Sequence, residues 1–254
     1  MIIFHSLIRI FHQGFFYQMK NTVITIDGHS GCGKSTLAKS LAKKLNFLYI
    51  DTGAMYRAIS LFFLESDFIL KNGNLRNDYI SSMSSVNIDF SELNENGESF
   101  VRLNGKNVED KIRSIEISNL VSLISKNSLI RKKMVSIQQS YEPKSNLIMD
   151  GRDIGSVVFP NADIKFWVTA SAKKRAHRRW LEYKLNGDDI SIEKVIENIN
   201  FRDHNDETRK VSPLIRPKDS IEIDNTNLNI DQTFELAFNH VQNNLNEGIG
   251  KNIN

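Results

Sequence analysis

Thr22-Val23-Ile24-Thr25-Ile26-Asp27-Gly28-His29-Ser30-Gly31-Cys32-Gly33-Lys34-Ser35-Thr36 is the stretch on which the fold turns. Its first five residues are all β-branched and three of them apolar, which predicts a buried strand ending at Asp27. A helix-like segment runs from Thr36 to Leu45. Between them Gly28 to Ser35 satisfies G-x-x-x-x-G-K-[ST], and strand, glycine loop and helix together form a cradle of backbone N–H groups for phosphate oxygens. The glycines let the backbone come close to those oxygens. The Lys34 ammonium can reach the β- and γ-phosphates, and the Ser35 hydroxyl can ligate Mg²⁺. Gly28, His29, Ser30, Gly31, Cys32, Gly33, Lys34, Ser35 and Thr36 are therefore the candidate contacts for a nucleoside triphosphate.

Beyond this stretch the pattern alternates between strand and helix, with two interruptions. Phe47 to Ile50 predicts a strand and Ala54 to Glu65 a helix, whereas Val86 to Phe90 and Ser99 to Leu103 alternate at period two. Asn104-Gly105 is a hairpin signal with Lys106-Asn107-Val108 as the return strand, and Asn94 to Gly97 reads as another turn. A small antiparallel insertion over about 85–109 follows from this, and a helical pattern resumes over 114–141. Strands are expected again at 146–150, 163–169 and 221–224, with helices at 171–185, 191–204 and 230–245. The expected fold is α/β: a parallel five-stranded P-loop sheet flanked by helices, with the β insertion and a helical lid at about 171–190. In domain terms, 21–60 and 145–245 form the core, 61–144 a second unit, and 246–254 a tail.

The chain has 254 residues, 40% hydrophobic and 25% charged, enough to bury a core. A net charge of +3 is too balanced to argue for a nucleic-acid or membrane partner. The single cysteine excludes an intrachain disulfide and points to a reducing cytoplasm. Residues 1–20 are aromatic-rich, but polar residues interrupt them and no cleavage pattern follows. They are expected to be a disordered or untranslated extension ahead of Met19, an interfacial anchor being the alternative.

Ligands of open α/β sheets bind beyond the carboxyl ends of the strands. Three such ends carry phosphate-competent sequence: Asp51 to Arg57, Asp150 to Gly155, and Thr169 to Ser171 before a strongly basic helix. In these features the chain resembles bacterial cytidylate kinases over nearly all of residues 22–240. The likeness is carried by ITIDGHSGCGKST, DTGAMYRA, LIMDGRDIGSVVFPNAD, RAHRRW and RDHNDETRKVSPL. It implies transfer of the ATP γ-phosphoryl to CMP or dCMP with Mg²⁺, by a monomer. The residues leave two other readings open: a P-loop kinase for UMP, AMP or a non-nucleotide, and a P-loop ATPase switch module.

The resemblance implies that Arg57, Arg152 and Arg209 hold the CMP phosphate, with Thr52 and Tyr56 lining that pocket. Arg175, Arg178 and Arg179 share one helical face at i, i+3 and i+4, so a closing lid could bring them over the transferring phosphoryl. Arg175 and Arg179 are the expected catalytic pair there, with Lys34, Arg152 and Arg209. For Lys173, Lys174 and Arg178 a solvated surface role stays open. Asp153 can accept from the cytosine amino group, and Arg131 and Ser122 match positions that read the ring. Ser122 could equally be a surface serine. Arg202 and Asp206 match a pair near the ribose and could also be a plain i, i+4 ion pair. Asp150 is expected to hold an Mg²⁺ water or to cap the following turn. His29, Cys32 and Thr52 depart from the residues usual in the family. Cys32, beside a lysine and backbone N–H groups, is expected to be alkylated unless ATP protects it.

Overall fold

A computed structural model of the chain describes residues 21–70, 74–91, 94, 99–142, 145–185 and 187–251. The N-terminal extension and most of the turn expected at 94–97 lie outside the described residues. The main sheet contains β1 (Val23–Asp27), β2 (Leu48–Asp51), β6 (Leu147–Gly151), β7 (Ile164–Thr169) and β8 (Ile221–Asp224), ordered β2-β6-β1-β7-β8. All pairings are parallel. β1 lies at the centre with every residue buried, which is why its sequence runs apolar without alternation.

Helices α1 (Lys34–Leu45) and α8 (Ile230–Lys251) cover one face, packing Leu37, Leu41, Ala237 and Val241 on Ile24, Ile26, Phe166 and Val168. The other face carries α2 (Thr52–Glu65), with Met55, Ile59 and Phe63 in one core with Val23, Ile50 and Met149. That core continues into α3 (Tyr79–Ser82), α4 (Ile115–Ile124) and α5 (Ser128–Gln139), and into a three-stranded antiparallel sheet. The small sheet is β3 (Ile88–Phe90), β4 (Val101–Leu103) and β5 (Lys106–Asn107), at the place the hairpin signals put it. Helices α6 (Ala172–Leu185) and α7 (Ile192–Thr208) pack on each other through Ala176, Val195 and Ile199.

The structure departs from the sequence reading at several places, two of them with a local cause in a side-chain cap. α2 begins at Thr52, two residues early, because the Asp51 carboxylate accepts from Ala54 N–H and caps it. The helical span expected over 114–141 is two helices, broken where the Asn127 side chain accepts from the N–H groups of Leu129 and Ile130. Such a cap is worth about 1 kcal/mol. A π-helical turn at Ile154–Val158 has no periodicity to announce it. The last helix continues through Lys251, beyond the expected end at 245.

Candidate active site

Because the main sheet is parallel, Asp27, Asp51 and Thr169, which end their strands, and Asp150, one residue before the end of β6, all lie at one edge. The glycine loop lies there. A side chain at Gly28 would put its Cβ 2.0 Å from the Val168 carbonyl oxygen, so only glycine lets the loop leave β1 against β7. Gly31, at φ 75°, passes the Arg175 main chain less closely, a Cβ there coming 3.1 Å from the Arg175 carbonyl oxygen. The loop then opens into the N-terminus of α1, whose free N–H groups favour anions. The Lys34 ammonium donates to the His29 carbonyl at 2.6 Å, and burial, followed by the Arg152 guanidinium, lowers its pKa. Ser35 Oγ and the Tyr49 hydroxyl donate to opposite oxygens of Asp150 at 2.9 and 2.8 Å. Burial, and then the neighbouring Asp51, raise the Asp150 carboxyl to about 6.

Several arginines converge on the same edge, most of them tied to a carboxylate. Arg57 donates to Asp51 at 2.9 Å. Burial by itself would raise Asp51, but Arg57 and the Ala54 N–H outweigh it and hold the carboxyl below its ordinary range. Arg152 donates to Asp206 at 2.8 Å, and Arg209 to the other oxygen of Asp206 at 3.2 Å. Arg131 is fully buried, pairs with Asp153, donates to the Ser125 carbonyl at 3.0 Å and lies 5.4 Å over the Tyr56 ring. Arg209 stands 3.6 Å from the second oxygen of Asp153, and its buried Nη2 has no hydrogen-bond partner. Arg202 differs from these: burial, and then Arg152 and Arg179, push its guanidinium down to about 10.

A single cleft of about 530 Å³ joins the two groups. Ser30, Gly31, Gly33, Lys34, Ser35 and Thr36 line one end. Thr52, Tyr56, Arg57, Ser122, Arg131, Arg152, Asp153, Arg202, Asp206 and Arg209 line the other, with Asp150 between. Gly28, His29 and Cys32 are not on its wall. The His29 ring meets Glu207 at 2.8 Å and stands edge-on to Trp167. Cys32 is fully buried in the α1 face of the core, with its thiol donating to the His29 carbonyl, so the expected alkylation has no open path to it.

The three lid arginines do not gather over one point. Arg175, buried and absent from the cleft, donates to the carbonyls of Ala170 and Ser30 and pairs with Asp203. Its guanidinium braces the glycine loop from behind. Arg178 donates to the side chain and carbonyl of Asn225, whose amide in turn donates to the Cys32 carbonyl at 2.8 Å. Arg178 and Arg179 both line the cleft, Arg179 held by Glu182 and lying over Tyr183. Tyr49, Asp203 and Asn225, which shape the site from outside its motifs, went unnoticed in the sequence. For Tyr49 a signal existed: it stands two residues before Asp51 in a strand paired to β6, in register with Ile148 and beside Asp150.

The cytidylate kinase family model matches residues 24–243. The cytidylate kinase of Flavobacterium johnsoniae is 45% identical over 216 residues, covering 85% of this chain and 94% of that protein. That of Bacteroides fragilis is 45% identical over 218 residues, covering 84% and 93%. That of Porphyromonas gingivalis is 44% identical over 215 residues, covering 83% and 91%.

Proposed function

Since the chain belongs to the cytidylate kinase family, we propose that it transfers the γ-phosphoryl of ATP to CMP and to dCMP, releasing ADP and the corresponding diphosphate. The observation that carries this reading is the continuity of the cleft. An amide cradle with a buried lysine opens into the same space as the arginines and the Arg131–Asp153 pair. Phosphoryl transfer between two polyanions needs chiefly in-line positioning and charge neutralisation, and this arrangement offers both.

In this reading Arg57, Arg152 and Arg209 hold the acceptor phosphate, with Thr52 and Tyr56 beside it. Lys34 and Arg179 neutralise charge on the transferring group. Asp153 accepts from the cytosine amino group while Arg131, and Ser122 with it, face the ring. Uracil presents a carbonyl where cytosine has that amino group, which leaves Asp153 opposed by an acceptor and disfavours UMP. Arg202 and Asp206 lie toward the sugar. Arg175 supports the glycine loop rather than the reacting atoms. Residues 21–60 and 145–245 form the P-loop core, with the lid at 171–190 inside it; this core carries the glycine loop and most of the acceptor contacts, and the monophosphate-binding unit at 61–144 adds Ser122 and Arg131.

The residues also fit Mg²⁺. No group of three or more His, Cys, Asp or Glu side chains able to hold a metal exists among the described residues. Ser35 and Asp150 supply one hydroxyl and one carboxylate side by side, the small oxygen set that suits a cation held mostly by nucleotide phosphates and water. Bound there, Mg²⁺ would neutralise charge on the β- and γ-phosphates. The protein is taken to act as a cytoplasmic monomer without nucleic-acid or membrane partners, and its near-balanced charge agrees with this.

A coupled assay of ADP formation with CMP, dCMP, UMP and AMP tests the reading. CMP and dCMP are expected to stimulate turnover strongly, and UMP and AMP weakly. Preference for a different acceptor, or ATP turnover indifferent to every monophosphate, would overturn it.

A further inference from the structure

Asp27 is the last residue of β1, almost completely buried and immediately before the glycine loop, yet it does not line the cleft. Its two carboxylate oxygens accept from consecutive main-chain groups, Ile154 N–H at 2.9 Å and Gly155 N–H at 2.7 Å. Those amides open the π-helical turn, where the first N–H groups have no partner within the turn itself. The carbonyl of Asp153 accepts from Val157 and Val158, so the turn grows directly out of Asp153. The segment is also pinned on its other flank, where the Thr52 hydroxyl donates to the Asp150 carbonyl at 2.7 Å. Arg152 and Asp153 are thus suspended between two fixed points, one of them a carboxylate from the neighbouring strand.

We propose that Asp27 is a positioning residue for acceptor choice: by clamping two successive amides it fixes the main chain at Arg152–Asp153 and so aims Asp153 at the base. The proposal rests on the reading of Asp153 as the cytosine contact. The clamp leaves no room at the next residue. A Cβ at Gly155 would come 2.8 Å from Thr25 Oγ1 and 3.3 Å from Asp27 Oδ2. Burial raises the Asp27 carboxyl to about 6 even though both amides lower it, so the carboxylate is kept at this place against a desolvation cost. A neutral side chain would hold fewer of these amides. Asparagine presents one acceptor and turns an N–H donor toward the other amide.

The experiment uses four variants of the full chain: D27N, G155A, the double variant T25A/G155A, and D153N. Steady-state kcat and KM are measured for CMP and UMP at saturating ATP, and KM for ATP at saturating CMP. G155A and D27N are each expected to raise the CMP KM about tenfold and to narrow the CMP-over-UMP ratio of kcat/KM by about as much. The ATP KM should stay within about twofold, a split that general loosening would not produce. Thr25 Oγ1 has no hydrogen-bond partner, so removing it opens space for the new methyl, and T25A/G155A should recover much of the ratio. The double variant also guards against D27N failing to fold. An unchanged CMP KM and ratio in G155A and D27N, or an equal rise in the KM for ATP and CMP, would overturn the proposal. If D153N leaves the ratio unchanged, the base reading itself fails and the proposal goes with it. If D153N shifts the ratio while D27N and G155A do not, only the clamp fails.

Discussion

Replacing Arg202 by methionine should make the free enzyme more stable and its hold on the acceptor weaker. Arg202 has no hydrogen-bond or ion-pair partner among the described residues. Burial, Arg152 and Arg179 together lower its pKa from 12.5 to about 10, and Asp206 offsets only part of that. At about 1.4 kcal/mol per unit the shift corresponds to about 3 kcal/mol. The side chain still meets solvent through the cleft, so screening leaves about half of this. The sign is fixed by the direction. A base whose folded-state pKa is depressed costs stability while it is charged, so the cost is fully present at pH 7. It is relieved only as pH rises through about 10. Methionine keeps the apolar stem and removes the charge. A gain of about 1–2 kcal/mol should raise the melting temperature by about 2–8 °C in a chain of this size. Thermal unfolding at pH 7 in low salt, with and without CMP, measures both halves of the claim. The gain should shrink in high salt, and the CMP-induced shift should be smaller than in wild type. A variant that melts at or below the wild-type temperature in low salt would show that Arg202 is not held there against its own electrostatics.

The other expectations are shorter. Arg152→Ala removes a guanidinium proposed to hold the acceptor phosphate and is expected to lower CMP-stimulated ADP production by about a hundredfold or more; near-normal turnover would mean the pocket is misassigned. Asp150→Asn should flatten part of the pH dependence of stability. The ionised Asp150 costs stability above its folded-state pKa of about 6, and the cost fades as pH falls toward the ordinary value of 3.8. Wild type should therefore gain melting temperature relative to the variant between pH 7.5 and 5, and parallel profiles would contradict this. Cys32 should react with iodoacetamide only as fast as the protein unfolds, because its side chain is fully buried. Rapid labelling of the folded chain, followed by mass spectrometry, would refute that.

What could be read in the sequence was set by local rules. β1 and its loop stood out because a strand buried on both faces has an unbroken apolar run, and the glycine spacing allows few other structures. Asn104-Gly105 was legible because both residues adopt positive φ, 51° and 78°, which the short hairpin demands. The break at Asn127 was hidden because apolar residues at 117, 120, 121 and 124 resume at 130, 134 and 137, and the polar stretch Ser125-Lys126-Asn127-Ser128 between them contains no glycine or proline. The π-helical turn escaped because its first amides are satisfied by Asp27, more than a hundred residues away. Spacing placed Arg175 and Arg179 on one face of α6, but could not say that one guanidinium turns inward to Ser30 and Asp203 while the other reaches the cleft.

The acceptor end of the cleft shows why so many of its arginines are paired with aspartates when the ligand they would bind is an anion. A free arginine carries several rotatable bonds, and ordering it when the ligand binds subtracts from affinity. Asp51 holds Arg57, Asp206 holds Arg152 and Arg209, and Asp153 holds Arg131, so those guanidiniums are oriented beforehand. Full neutralisation would abolish the attraction, and the numbers stop short of it. Leaving aside Asp150, which stands beside Ser35, and Glu182, which is taken up by Arg179, the five arginines Arg57, Arg131, Arg152, Arg202 and Arg209 stand with three aspartates, Asp51, Asp153 and Asp206. The surplus is two positive charges, close to the charge of about −2 on a phosphate monoester near neutral pH. The unpaired Arg202 is then a consequence of this balance: pairing it with a further carboxylate would stabilise the free protein and halve the charge available to the substrate.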